Sequence, residues 1–223
     1  MARGHFRGEK YSPCSSRRLR KNILASVLAS GFLSLAPTLA SASPPLPIAS
    51  QTAIFSEPAD PTAAWSLFCT QLPAECAIDL SEPDVVELTP EVWRNIVRIN
   101  THVNKTILAV TDLDHWGVAD RWDYPDDGMG DCEDIQLLKR RLLVQTGLPH
   151  RAMRMTVVID EMGDGHAIMM VRTDHGDFVL DNKRDQVLPW EKTGYVYVKR
   201  ESTDRTGWIY YNGAADPVVT ANR

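Results

Sequence analysis

The chain has 223 residues, 43% hydrophobic and 24% charged, with 14 Pro and 13 Gly, which suits one globular domain or two small ones and excludes a fibrous or low-complexity protein. Residues 1–42 hold seven Lys or Arg and one Glu; without them 17 cations face 28 anions, and the net charge moves from −5 to −11. So acidic a chain lacks the clustered basic surface of a nucleic-acid binder, and a cation is its better-matched partner.

The N-terminal segment reads as a secretory signal. Arg17, Arg18, Arg20 and Lys21 precede an apolar stretch over residues 23–39, then Ala40-Ser41-Ala42 offers a small-residue cleavage site. The stretch is short and broken by Pro37, which argues against a membrane span, with an uncleaved anchor as the alternative. The expected location is periplasmic or secreted. Cys14 leaves with the signal, Cys69 and Cys76 lie seven apart around Pro73 and read as a disulfide, and Cys132 remains alone.

Residues 43–60 are rich in Pro, Ser and Ala and read as an irregular lead-in to a domain over 61–215, with 216–223 as a tail. A short helix over 63–70 would bury Trp65 and Phe68. Thr89-Pro90-Glu91 is a helix start: a capping hydroxyl, a proline where no amide hydrogen is needed, and an acid at the positive end of the dipole. Val92, Ile96, Ile99, Val103 and Ile107 then follow at helical spacing, which predicts a helix over 90–105. Residues 111–130 carry no sustained period and read as loop.

A second helix begins at Asp131 or Cys132, with Ile135, Leu138, Leu142 and Leu143 inward, Lys139, Arg140 and Arg141 outward, and Gly147 and Pro149 as its stop. Strands are predicted over 153–159, 166–172, 178–180, 195–199 and 208–211, as an antiparallel meander. Helices first and a sheet after give an α+β fold class.

Cys132 in Asp131-Cys132-Glu133-Asp134 stands in the first turn of a helix, where backbone amides and the dipole favour a thiolate nucleophile. A buried, inert cysteine is the alternative, and the polar surroundings argue against burial. His166, just past the turn Gly163-Asp164-Gly165, is the candidate base, and Asp181 at the end of the next strand the group that would orient it. The two stand directly opposed if the intervening turn is centred between Thr173 and Asp174, with Val171 paired to Gly176, and drift out of register if it is centred on His175. Trp116, Trp122 and Tyr124 are candidates to wall a substrate groove, with core packing an equal reading for Trp122. The backbone amide of Cys132 would serve an oxyanion hole.

These features resemble the bacterial transglutaminase-like cysteine peptidases from about Trp65 to Tyr210. The resemblance rests on Asp114-His115-Trp116-Gly117, on Asp120-Arg121-Trp122-Asp123-Tyr124-Pro125, on Gly128-Met129-Gly130-Asp131-Cys132-Glu133-Asp134, on Gly165-His166-Ala167 and on Val179-Leu180-Asp181-Asn182. It implies a papain-like fold, with Cys132 as nucleophile, His166 as base and Asp181 as the orienting acid. It further implies an envelope or surface-adhesin substrate and capture by a membrane-bound receptor as regulation.

Between Asp112 and Asp134 lie nine acids against the single base Arg121. Such a field opposes thiolate formation unless a cation neutralises it, and hard carboxylate oxygens select calcium over zinc or copper. The resemblance puts the calcium ligands at the acids flanking the cysteine: Asp131, Glu133 and Asp134. A solvated acidic loop with Asp131 as a helix cap is the alternative. The leading expectation is therefore an exported cysteine endopeptidase acting through a thioester acyl-enzyme. A transglutaminase-like amide or acyl transferase and a non-catalytic calcium-dependent binding domain are the alternatives.

Overall fold

The structure, a computed structural model, describes residues 45–211. The expected signal segment and C-terminal tail lie outside the described residues. Five helices precede most of the sheet: α1 (Ala63–Gln71), α2 (Pro73–Cys76), α3 (Pro90–Thr106), α4 (Asp112–Trp116) and α5 (Cys132–Gln145). Thr62 and Thr89 cap α1 and α3, their hydroxyls accepting from the Trp65 and Val92 amides at 3.1 and 3.2 Å. Cys69 in α1 and Cys76 in α2 form a disulfide with Cα atoms 5.6 Å apart.

The main sheet holds seven strands: β1 (Phe55–Ala59), β4 (Met153–Ile159), β5 (Gly165–Thr173), β6 (Gly176–Leu180), β7 (Leu188–Pro189), β8 (Val196–Glu201) and β9 (Trp208–Tyr211). Every pairing is antiparallel, but the order β1-β9-β8-β4-β5-β6-β7 is not the expected meander. After β7 the chain crosses back and lays β8 on the free side of β4, giving this buried strand a partner on each edge. Short strands β2 (Leu108–Ala109) and β3 (Met129–Gly130) pair in parallel and deliver the chain to α5.

A strand forms where an irregular lead-in was expected. β1 pairs with β9, and Phe55 packs edge-on against Tyr211 at 5.3 Å under the Arg200 guanidinium. Upstream, residues 50–53 cross the β5–β6 turn: the Ser50 amide donates to the His175 carbonyl at 2.6 Å, and the Ala53 amide to Asp177 Oδ2 at 2.8 Å. A Cβ on Gly176, whose φ is 99°, would run into the Ser50 carbonyl, so glycine suits this crossing twice over.

Ile96, Ile99 and Val103 of α3 and Ile135 and Leu143 of α5 pack on Met169, Val171, Phe178 and Leu180, with Trp93 at 5.3 Å from Phe178. Lys139 and Arg140, expected on the outer face of α5, are 0% and 1% exposed. The helix is enclosed by α3 and the sheet, and acids meet these charges. Arg140 Nη1 lies 2.7 Å from Glu201 Oε2, and Glu201 also accepts from Trp65 Nε1 at 2.9 Å and from the Met155 amide at 3.0 Å. A helix with a cysteine at its first residue, laid against an antiparallel sheet, is the expected α+β, papain-like layout.

Candidate active site

Gly130 and Asp131 set the start of α5. A side chain at Gly130 would come within 2.8 Å of Asp134 Cβ and 3.1 Å of Pro125 Cβ, so only glycine lets the Pro125 loop close on the helix. Cys132 follows, 0% exposed, contrary to the expectation that its polar neighbours would keep it near solvent. Those neighbours are themselves buried, because Asp131, Glu133 and Asp134 turn inward with it. Its Sγ accepts from the Ala167 amide at 3.3 Å and donates to Glu133 Oε2 at 3.1 Å.

His166, the second residue of β5, is fully buried and donates from Nε2 to Asp181 Oδ1 at 2.9 Å. The register that allows this differs from direct opposition. Thr173 pairs with Gly176 around Asp174 and His175, so Val171 meets Phe178 rather than Gly176, and the last pair is Met169 with Leu180. Asp181 stands one residue beyond that pair and His166 three residues before it. The even offset puts both on one face as diagonal neighbours, still within reach.

Asp181 is held by more than His166. Tyr195 donates its hydroxyl to Oδ2 at 2.6 Å and the Lys183 amide donates to Oδ1 at 3.0 Å. Burial pushes the carboxyl up, but these bonds and the imidazole outweigh it and hold Asp181 down at about 2. Burial likewise opposes charge on His166, yet the Asp181 bond and the neighbouring Cys132 thiol raise it to about 9. His166 Nδ1, the nitrogen not used by Asp181, has no hydrogen-bond partner among the described residues.

The acids form a second feature. Oxygens of Asp112, Asp131 and Asp134 lie within 4.8 Å of one another, as do those of Asp112, Asp120 and Glu133. Asp112 Oδ1, Asp120 Oδ1, Asp131 Oδ1 and Glu133 Oε1 are buried without a hydrogen-bond partner among the described residues. Burial, then mutual repulsion, raises Asp112 to about 6 and Asp120 to about 7. Asp134 rises to about 8, chiefly by burial. Arg121 offsets the cluster only in part: it lowers Asp112, but its guanidinium bonds Asp123 at 2.7 Å and lies over Trp116 at 4.4 Å. Unsatisfied hard oxygens converging inside a protein fit a divalent cation of the calcium kind. Asp112 and Asp120 were visible in the sequence only as members of an acidic run. The loop through α4 that folds them back onto Asp131 and Glu133 has no periodic signature.

The aromatic candidates separate. Trp122 is buried in the core, its ring 6.4 Å from Phe68 and 6.1 Å from Trp208. Tyr124 lies against Phe68 with the Arg141 guanidinium 3.9 Å over its ring. Trp116 is 43% exposed, stacked on His115 at 3.9 Å.

Residues 55–215 match the family described as bacterial transglutaminase-like cysteine proteinase, and the chain belongs to that family. It is accordingly a cysteine peptidase of the transglutaminase-like type. Among solved structures it is similar to Legionella pneumophila LapG, at 22% identity over 53% of this chain and 68% of that one, with a TM-score of 0.45. The calcium-bound form of the same protein matches at 20% identity over 58% and 75%, TM-score 0.47, and the EGTA-treated form at 21% over 55% and 68%, TM-score 0.46. No curated protein sequence matches the chain. Among the described residues no helix is long and apolar enough to cross a membrane.

Proposed function

We propose that the chain is an exported cysteine endopeptidase working through Cys132, His166 and Asp181. The observation that carries this reading is the His166 Nε2 bond to Asp181 at 2.9 Å, which leaves Nδ1 unbonded, while the amide of the next residue, Ala167, donates to Cys132 Sγ at 3.3 Å. Asp181 fixes the imidazole: Nε2 keeps its proton, and Nδ1, with His166 raised to about 9, is basic enough to hold the proton it takes from the thiol. Nδ1 takes the thiol proton, and Sγ forms a bond to the peptide carbonyl carbon. Oxygen takes the negative charge and is met by the Cys132 amide at the start of α5. The imidazolium returns its proton to the leaving amine as the C–N bond breaks, leaving a thioester. Water, losing a proton to Nδ1, attacks the thioester carbonyl and releases the acid and the thiol. Resolution by water rather than by an amine is favoured because the family is one of proteinases.

Asp112, Asp120, Asp131, Glu133 and Asp134 would hold a calcium ion, which supplies positive charge to a region otherwise crowded with carboxylates. Export to the periplasm through the signal over 1–42, a large surface adhesin as substrate with a role in biofilm, and regulation by a membrane receptor complete the reading. The test compares envelope proteins shed by cells carrying the parent chain and Cys132→Ala. A surface protein released only by the parent is the expected result, and identical shed proteins sink the proposal.

A further inference from the structure

Asp181 lies past the last strand pair on both edges of β6, since Leu180 pairs with Met169 and Val179 with Leu188. Its carboxylate has its own donors, but its backbone is outside the ladder, and residues 181–185 must be held from elsewhere. They are held from α3. Asn104 Nδ2 donates to the carbonyls of Asp181 and Arg184 at 2.9 and 3.0 Å and reaches Asp185 Oδ1 at 3.2 Å. One helical turn earlier, Asn100 Nδ2 donates to the carbonyls of Arg184 and Asp185 at 3.1 and 3.0 Å. Of the two, Asn104 is the one that bonds Asp181.

The other ties on this segment are weaker or more distant. Gln136 Nε2 is 3.5 Å from Asn182 Oδ1, at the limit of a hydrogen bond. Arg184 Nη2 lies 3.7 Å from Glu161, with both side chains a third or more exposed. Lys183 Nζ bonds Asp160, two residues beyond the carboxylate. Asparagine is also a poor residue for a helix interior unless its amide is used. Asn100 is fully buried, and its Oδ1, like that of Asn104, has no hydrogen-bond partner among the described residues. Ile96, Ile99 and Val103 pack the same helix into the core, and leucine at 100 or 104 would avoid both penalties. Packing alone does not account for the two amides; the carbonyls they meet do.

We infer that Asn104 is a positioning residue for Asp181: its side-chain amide takes the Asp181 carbonyl that the sheet leaves outside its ladder, and so fixes the backbone from which the carboxylate reaches His166 Nε2. Asn100 anchors the far end of the same segment. The role of Asn104 in catalysis rests on the triad reading above; its hold on Asp181 does not.

The test uses purified protein with isotope-labelled histidine, read by NMR, and compares Asn104→Leu with Asn100→Leu, each of which fills the space of the asparagine without a donor. Asn100→Leu removes bonds to the far end of the segment, so it measures general loosening. The parent is expected to show a downfield, slowly exchanging His166 Nε2 proton. Asn104→Leu is expected to speed its exchange at least about tenfold, as for the loss of one hydrogen bond, and Asn100→Leu less than about threefold. An unmoved exchange rate in folded Asn104→Leu, or an equal rise in the two variants, overturns the proposal. Should Asn104→Leu fail to fold, the parent labelled at asparagine decides. Protection of the Asn104 Nδ2 protons by at least about tenfold over an exposed asparagine supports the proposal, and exchange as fast as an exposed one overturns it. Iodoacetamide alkylation of Cys132 in the parent and in His166→Ala reads the triad separately. If His166 has no effect there, the catalytic reading fails whether or not Asn104 holds Asp181.

Discussion

Asp181 reaches His166 along a diagonal: Oδ1 lies 2.9 Å from Nε2 although the carboxylate stands one residue past the last β5–β6 pair. Freed from the ladder, Asp181 can also take the Tyr195 hydroxyl and the Lys183 amide, so its position is fixed by three donors rather than by strand pairing. A carboxylate held this way orients the imidazole without moving when the imidazole changes charge.

Asp181→Asn keeps the shape and removes the charge. Alkylation of Cys132 by iodoacetamide near neutral pH is expected to slow at least about a hundredfold, and His166→Ala by as much or more. Tyr195→Phe removes one donor and is expected to slow it only about fivefold. Equal rates in the parent and Asp181→Asn would show that the pair does not activate the thiol.

The same pair sets a pH window for stability. His166, raised from 6.5 to about 9, contributes fully below pH 6.5 and loses its contribution as pH rises through 9. Asp181, lowered from 3.8 to about 2, contributes above pH 3.8 and loses its contribution as pH falls through 2. The stability difference between the parent and Asp181→Asn is therefore expected to be largest, on the order of 2–3 kcal/mol, between about pH 4 and 6.5. Urea unfolding at several pH values measures it. A difference that keeps growing above pH 9 contradicts the assignment.

Calcium is expected to raise the melting temperature by roughly 5–10 °C at about a hundred times its dissociation constant, and EGTA to reverse the rise. The rise should be lost in Asp112→Asn and in Glu133→Gln. It should weaken as pH falls, since Asp112 at about 6 and Asp134 at about 8 must lose protons to serve as ligands. A calorimetric titration without heat, together with an unmoved melting curve, removes the metal site.

Arg140→Leu leaves Glu201 charged and enclosed, and is expected to destabilise by about 3–5 kcal/mol in urea unfolding. Adding Glu201→Leu should recover part of that loss. A single variant as stable as the parent would mean that Glu201 is satisfied by Trp65, the Met155 amide and the charge of Arg154.

The chemistry was more legible in the sequence than its setting. Thr89-Pro90 and the apolar spacing from Val92 to Ile107 located α3, since cap and period are local properties. Cys132, His166 and Asp181 were candidates because their residue types and the preceding glycines carry chemical meaning. The β5–β6 register was not readable, because Thr173 to Gly176 accommodates either a two- or a four-residue turn and only packing chooses. Lys139 and Arg140 were read as solvent-facing because charge normally marks the outer face. Glu201, the acid that meets Arg140, is more than sixty residues away. The inward turn of Asp112 and Asp120 likewise depends on contacts across a loop.

The crossing of residues 50–53 and the pairing of β1 bear on how this domain can be trimmed. A fragment begun at residue 61 would keep every candidate catalytic residue and lose the strand that covers β9. The bared backbone of Trp208–Tyr211 would then template pairing with another chain, without the exposed Glu57 and Pro58 that discourage sheet extension. Such a fragment would fail first in the centrifuge, as a loss of solubility, well before its chemistry was impaired.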